Sequence, residues 1–340
     1  MDGVPIWLFL VAPPGCTKSA LLMSFLNANK IMATTTLTSA SLISGMNNKH
    51  GIDNSLIPQL NNKVLVIKDF TTILNMNPIA RDEIFGIFRD VYDGVIDKYF
   101  ATIEKHYKSK FGIIAGVTPA IEVYTDSFSA MGERFLTWKI NLPKDSTIIL
   151  KKAIENTTKE TEFSKELNEI AKLFLRQNFI DIPIFNDKFI DKIINLAQLM
   201  SIMRASVIRE RYSKEITHQP IIELATRIVK QLVKISIGIA QFKNKKITDE
   251  EEYKIIKKLA LHSMPSRYED ILRYSYLHKD NFDIKFLIEK TKLPSITIQR
   301  LLENLTLIRV LERNKINMFK STWKLSNKIK KYIEITEVYK

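Results

Sequence analysis

The stretch Val11-Ala12-Pro13-Pro14-Gly15-Cys16-Thr17-Lys18-Ser19 leaves this chain few ways to fold. The apolar run Ile6-Trp7-Leu8-Phe9-Leu10-Val11 reads as a buried strand; it stops in a tight turn, and a helix opens near Lys18. Strand, loop and helix in that order make a phosphate cradle. Backbone N–H groups and the positive end of the helix dipole face phosphate oxygens, a lysine reaches the terminal phosphates, and a hydroxyl holds magnesium. Lys18 and Ser19 fit the last two roles, and Pro13, Pro14, Gly15, Cys16, Thr17, Lys18 and Ser19 form the expected nucleotide-binding loop.

Two positions depart from the usual pattern. Ala12 stands where such loops start on glycine, and Thr17 where a glycine precedes the lysine. Only Gly15 keeps full backbone freedom. A β-branched residue resists positive φ, so Thr17 is expected to tilt the lysine or weaken its grip on a nucleotide.

At 340 residues the chain can bury a core and divide into two or three domains. Its 51 Lys+Arg against 37 Asp+Glu leave a net charge of +14, which favours a polyanionic partner such as nucleic acid. An A·T-rich genome, with its Lys, Ile and Asn bias, would produce part of the same excess. The single cysteine, Cys16, excludes an internal disulfide and a cysteine-based metal site and fits a reducing, cytoplasmic location. The early apolar run has Asp2 and no basic flank before it, so it reads as a strand rather than a signal peptide. No stretch approaches the ~18 apolar residues of a membrane span.

Three segments are expected. Residues 1–145 alternate β-type runs with helices, with strands at 34–38, 63–69, 111–117 and 135–140 and a helix over 78–88. That alternation predicts an α/β fold, a parallel sheet with helices on both faces and a nucleotide at the strand carboxyl ends. Residues 146–262 carry helical periodicity, with amphipathic stretches over 156–177, 187–211 and 220–242, and read as an all-α lid. Residues 263–340 give helices at 267–277, 284–290 and 295–307, then strands at 309–313 and 322–325. Three helices and a hairpin are the order of a winged helix-turn-helix.

Asp69 ends the apolar run 64–67 and is the expected magnesium carboxylate beside Ser19. Many loop ATPases follow this Asp with a Glu that polarises the attacking water, and Phe70 stands there instead. Hydrolysis must use another base, such as Asp82 or Glu83, or be slow or absent. Thr118 ends the 111–117 strand, where a hydroxyl can touch the γ-phosphate or the attacking water. Arg134, on a turn after Gly132-Glu133, has the setting of an arginine that reaches a neighbouring subunit's γ-phosphate in ring ATPases. Arg227, near the start of a lid helix, can couple lid angle to phosphate state; otherwise it is a solvated arginine. In the tail, Ser295, Thr297, Gln299 and Arg300 start the third helix, where a recognition helix meets DNA. Lys320, Lys324 and Lys328 in and after the wing would touch phosphates, although winged domains also dock proteins.

Taken together, these stretches resemble AAA+ ATPases similar to the minichromosome-maintenance helicases, in the compact form carried by phages and mobile elements. Residues 13–19 look like that family's phosphate loop, and Lys68-Asp69-Phe70-Thr71 resembles the magnesium strand of its mobile-element members. Ala115-Gly116-Val117-Thr118-Pro119 is similar to the family's sensor strand, with Thr118 in place of an asparagine. Residues 132–136 look like the segment bearing the arginine finger, which maps to Arg134. Residues 203–212 and 225–232 look like the lid, with Arg227 as the second sensor arginine.

The resemblance implies a P-loop AAA+ core with a helical lid and a C-terminal winged helix, binding ATP and Mg2+. It further implies a hexameric ring moving along DNA. Few residues precede Val11, so the family's N-terminal DNA-binding region is expected from a separate DNA-binding or primase-type partner; no membrane is involved. The leading expectation is a replicative helicase motor. A DNA-binding switch resembling origin-recognition initiators, with little hydrolysis, is the competing class, and a filament-forming transposition-type ATPase is a third. Thr17 and Phe70 favour the switch, whereas the settings of Arg134 and Arg227 favour the motor.

Overall fold

The computed structural model describes residues 3–47, 50–101, 103–124, 134–143, 145–176, 182–210, 215–317 and 320–340. The chain forms two compact units, Met1–Ile180 and Asp181–Lys340, where the sequence placed boundaries after 145 and 262.

The first unit is α/β. Strands β1 (Trp7–Val11), β2 (Ile31–Thr34), β3 (Val64–Ile67), β6 (Gly112–Val117) and β7 (Phe135–Lys139) form one sheet in the order β2-β3-β6-β1-β7. Every pairing in it is parallel. The register sets Val11 beside Val117 and Lys139, and Ile67 beside Ala115, so these strands end at one edge. The central strands are nearly continuous Val, Ile, Leu and Phe because helices cover both faces. Helices α1 (Lys18–Met23), α2 (Ser39–Leu42), α3 (Leu56–Gln59), α4 (Thr71–Leu74) and α5 (Pro78–Asp93) connect the strands. Pro78 in the first turn, the Asn77 side chain accepting from Ala80 N, and Gly94 in a left-handed C-cap bound the longest of them.

Trp7, Phe9, Phe70, Phe88 and Phe111 have at most 2% of their surface exposed. Burying each such side chain contributes about 1.5–3 kcal/mol relative to leaving it in water. The Trp7 indole N–H donates to Phe111 O at 2.9 Å, so this large ring is satisfied inside the core.

An antiparallel hairpin, β4 (Val95–Tyr99) with β5 (Glu104–Lys108), stands apart from the main sheet between α5 and β6. The sequence reading missed it. A polar cluster fastens the hairpin to Asn47, Asp53 and Ser55. Lys105, 6% exposed, pairs with Asp53 at 3.0 Å and donates to Asn47 at 2.7 Å, while the Tyr107 hydroxyl donates to Asp53 and, at 3.0 Å, to Ser55.

Other boundaries also shift. The Thr-rich stretch 34–38 is not a strand: β2 ends at Thr34, and Thr38 caps α2 through a reciprocal bond with Ser41. The helix expected over 156–177 is two, α6 (Thr147–Asn156) and α7 (Glu160–Leu175), joined by a 3-10 turn at Thr157–Lys159; Gln177 lies outside the described residues. From α7, the Asn168 amide donates to Ser24 O at 2.7 Å and Leu26 O at 2.8 Å, just past the end of α1.

The second unit holds α8 (Asp187–Met203), α9 (Thr226–Phe242), α10 (Glu250–His262), α11 (Ser266–His278), α12 (Ile284–Thr291), α13 (Ser295–Leu307) and α14 (Asn327–Thr336). Helix α8 stops at Met203 rather than 211, and α9 starts at Thr226 rather than 220. Strands β8 (Leu311–Lys315) and β9 (Ser321–Leu325) pair antiparallel, β8 starting two residues after the expected 309 and β9 one residue before the expected 322. Asp249 starts α10 with a capping box to Glu252, as its sequence signal indicates.

Helix α14 packs against α8. Lys192 of α8, its side chain 4% exposed, bonds Glu250 at 2.7 Å and Glu337 at 2.9 Å and lies 4.7 Å over the Tyr253 ring. Burial opposes its charge, yet the hydrogen bonds to Glu250 and Glu337 hold its pKa above the ordinary lysine value. The Tyr253 hydroxyl donates to Thr336 O at 2.7 Å. Among the described residues no helix is long and apolar enough to cross a membrane.

Candidate functional site

The loop between β1 and α1 leaves the sheet at its carboxyl edge. Ala12 N donates to Val117 O at 3.2 Å, fastening the start of the loop to the neighbouring strand. Gly15 takes φ +79 and Thr17 takes φ 55, ψ 9, both left-handed. The expectation that a β-branched residue resists positive φ identifies a real tension, which the loop resolves by holding Thr17 in that conformation. Left-handed residues within a turn curl successive backbone amides toward one side, the geometry of an anion nest. Thr17 and Ser19 are exposed, Cys16 and Lys18 half-buried. The Lys18 ammonium donates to Ala12 O and, at 2.9 Å, to Pro13 O, so it lies across the loop it follows.

Gly116 decides how closely the neighbours approach. A Cβ there would come within 2.7 Å of Lys68 O and 2.9 Å of Leu22 Cδ1. The bare backbone therefore lets α1 and the end of β3 close over β6. Phe70 N donates to Gly116 O at 2.7 Å, locking the segment that carries Asp69. Asp69 itself is exposed; its Oδ1 accepts from Thr71 N at 2.9 Å, and its backbone carbonyl accepts from the Thr72 hydroxyl at 2.9 Å. Thr118, half-buried, follows β6 between the strands bearing the loop and Asp69.

Lys18, Ser19, Asp69 and Thr118 thus come from three adjacent strands to one sheet edge. An ammonium, backbone amides, a carboxylate and two hydroxyls gathered at one sheet edge make a donor set that suits a phosphate-bearing anion, with Ser19 and Asp69 the oxygen ligands available to a hard cation. Phe70 turns the opposite way and packs at 4.8 Å on Phe9 and 5.8 Å on Phe135. Of the two carboxylates considered as bases, Asp82 is exposed beside Arg81. Glu83 bonds Lys98 of the hairpin at 3.0 Å, and this bond, with one from Ser39, lowers its pKa.

Arg134 lies elsewhere. It precedes β7, whose first residue pairs with Trp7, so it emerges at the sheet edge opposite the loop. It is 6% exposed, pairs with Asp93 at 3.3 Å and stacks 5.2 Å over Tyr92. Gly132 and Glu133 lie outside the described residues.

In the second unit, Arg227 sits in the first turn of α9 and pairs with Glu223 at 3.0 Å. Arg211 and Tyr212 of the lid-like stretch lie outside the described residues. Ser295 opens α13 and, like Gln299 and Arg300, is exposed; Thr297 is half-buried. Gln299 and Lys320 line one cleft, while Lys328 lines a different groove with Tyr332. Lys324 pairs across the hairpin with Glu312 at 3.1 Å. The missed hairpin β4–β5 contributes Lys98, the partner of the candidate base Glu83; its strands carry consecutive charged residues and gave no strand signal.

No known protein family and no characterised protein matches this chain by sequence.

Proposed function

We propose that this chain is an ATP-dependent DNA motor, a helicase-type ATPase of a mobile element. What carries the reading is the convergence of the loop, Asp69 and Thr118 on one edge of a parallel sheet, the position at which α/β proteins bind ligands. In this reading Lys18 exchanges the Ala12 and Pro13 carbonyls for phosphate oxygens. The loop amides cradle the phosphate chain, and Ser19 and Asp69 hold Mg2+. A metal held there would neutralise charge on the transferred phosphoryl group. Thr118 orients the γ-phosphate or the attacking water.

The resemblance to AAA+ helicases and the net charge of +14 support DNA as the partner. The resemblance alone implies a hexameric ring, with helices after residue 146 as a lid carrying Arg227 and the last helices and hairpin as a winged helix. In such a ring Arg134 acts as the finger by leaving Asp93 and Tyr92 for a neighbour's phosphate.

The buried Phe70 favours a second reading, a nucleotide-gated DNA-binding switch that hydrolyses little, because no carboxylate follows Asp69. Titration calorimetry with Mg-ATP, followed by a strand-displacement assay, separates the two. The motor requires Mg-dependent uptake, turnover and unwinding, all lost in Lys18→Ala. Uptake and DNA binding without turnover would leave the switch, and no uptake by the folded protein would remove both.

A further inference from the structure

The second unit carries a cleft of about 850 Å3 between the start of α12, α13 and the β8–β9 hairpin. Lys285, Gln299, Arg313 and Lys320 stand in its walls beside Leu307 and Trp323. Two carboxylates are also there, and both are engaged. Asp283 caps α12 by accepting from Phe286 N at 3.1 Å, and Glu303 accepts from Arg209 at 2.7 Å. Among the described residues Lys285 and Lys320 have no acidic partner. Arg313 donates to the Ser321 hydroxyl at 3.1 Å and lies 5.7 Å over the Trp323 ring. The uncompensated charge of the cleft is therefore positive.

A second observation comes from Trp323. It is 5% exposed, and its indole nitrogen is buried with no hydrogen-bond partner. Buried indole donors ordinarily find an acceptor.

Three cations call for an anion, and the Trp323 side chain in the same wall gives a base an aromatic neighbour. The volume lies within the roughly 300–1,000 Å3 of small-molecule pockets and is far more than a lone phosphate fills. Duplex DNA receives a protruding helix in its major groove. A recess instead admits a base turned out of an extended strand, with cations along the backbone. The Gln299 amide, both donor and acceptor, can meet a base edge.

We infer that this cleft seats one nucleotide of a single DNA strand, its phosphate on Lys285, Arg313 and Lys320 and its base against Gln299 and the Trp323 side. The inference rests on the reading of the chain as a DNA-acting ATPase and replaces major-groove contact by α13 with single-strand capture.

The chain has three tryptophans, hence three indole N–H resonances, and Trp323→Phe identifies the relevant one. The intact protein is titrated with a short oligothymidylate, with a duplex of equal length, and with an acidic peptide. The Trp323 signal is expected to shift saturably with the single strand and little with the duplex. Lys285→Ala with Arg313→Ala should weaken single-strand binding about tenfold and flatten its salt slope by about 0.7 per lost contact. Lys285→Ala alone, at an exposed position on a different element from Arg313, keeps the test informative if the double variant misfolds. Single-strand binding that leaves the Trp323 signal unmoved overturns the proposal. So does a stronger response to the duplex or to the acidic peptide. Absence of oligonucleotide binding while calorimetry still detects Mg-ATP overturns the cleft and leaves the nucleotide site standing.

Discussion

The ring of Phe70 meets that of Phe9 edge to face, with centroids 4.8 Å apart, one residue beyond the exposed carboxylate of Asp69. Adjacent residues thus divide between core and solvent, and the place where a water-polarising Glu is usual belongs to the core. Phe70→Glu should not install a catalytic base. It buries an unpaired charge, and the protein should unfold or lose most of its stability. Phe70→Ala should cost about 3–5 kcal/mol by cavity formation, measured by chemical denaturation.

Thr17 holds φ 55 in a loop that needs a left-handed residue. That conformation costs an L residue about 1–2 kcal/mol, and glycine's greater unfolded-state freedom offsets roughly 0.5–1 kcal/mol of any relief. Thr17→Gly should therefore raise stability by about 0.5–1 kcal/mol and tighten Mg-ATP binding. Thermal melts and calorimetry read the two effects separately, and weaker nucleotide binding would contradict the assigned role of the loop.

Gly116→Ala sets a methyl group 2.7 Å from Lys68 O, a backbone atom that cannot step aside. Overpacking should cost about 1–3 kcal/mol. Nucleotide affinity should fall with it, because the contact joins α1 to the segment carrying Asp69. Loss of stability with affinity unchanged would show that the two sides of the site are independent.

The cluster on the β4–β5 hairpin predicts a pH dependence. Burial works against ionisation of Asp53, but hydrogen bonds from Ser55, Tyr107 and Lys105 outweigh it and hold the carboxyl well below its usual range. A depressed carboxylate stabilises the fold above its unfolded pKa, near 4, and loses that contribution as pH falls toward the folded value. Asp53→Asn should thus be less stable than the wild type at neutral pH, with the gap closing below about pH 4. Burial, and then Asp53, push Tyr107 up to about 12. Its contribution is complete below about pH 10 and fades as the solution approaches the raised value. Denaturation midpoints across pH check both arms.

Asn168 bonds two carbonyls just past the end of α1, at 2.7 and 2.8 Å. Asn168→Ala should cost about 1–2 kcal/mol and speed amide exchange over residues 18–28. Exchange confined to α7 would mean that the amide steadies α7 alone.

Much of the first unit was legible because β1, β3, β6 and β7 are apolar runs whose hydrophobicity decides their burial. Lys18, Ser19, Asp69 and Thr118 follow those runs directly, so their shared sheet edge could be anticipated. The Thr34–Thr38 misreading arose because β-branched residues favour strands, while Thr38 is also an N-cap, and the side-chain bond to Ser41 won. The β4–β5 hairpin escaped because its strands carry Asp97, Lys98, Glu104, Lys105 and His106. Their pattern suits a surface loop until long-range partners such as Asp53 are known. The burial of Arg134 against Tyr92 was likewise invisible, since it depends on where α5 ends relative to β7.

Lys192, Tyr253 and the end of α14 draw the last residues of the chain back onto its middle. A flexing point between 262 and 263 would have to rupture those bonds, so α8 and α10 on one side of it are held to α14 on the other. Trimming the chain after Leu325 would strip cover from α8 rather than release a separable tail.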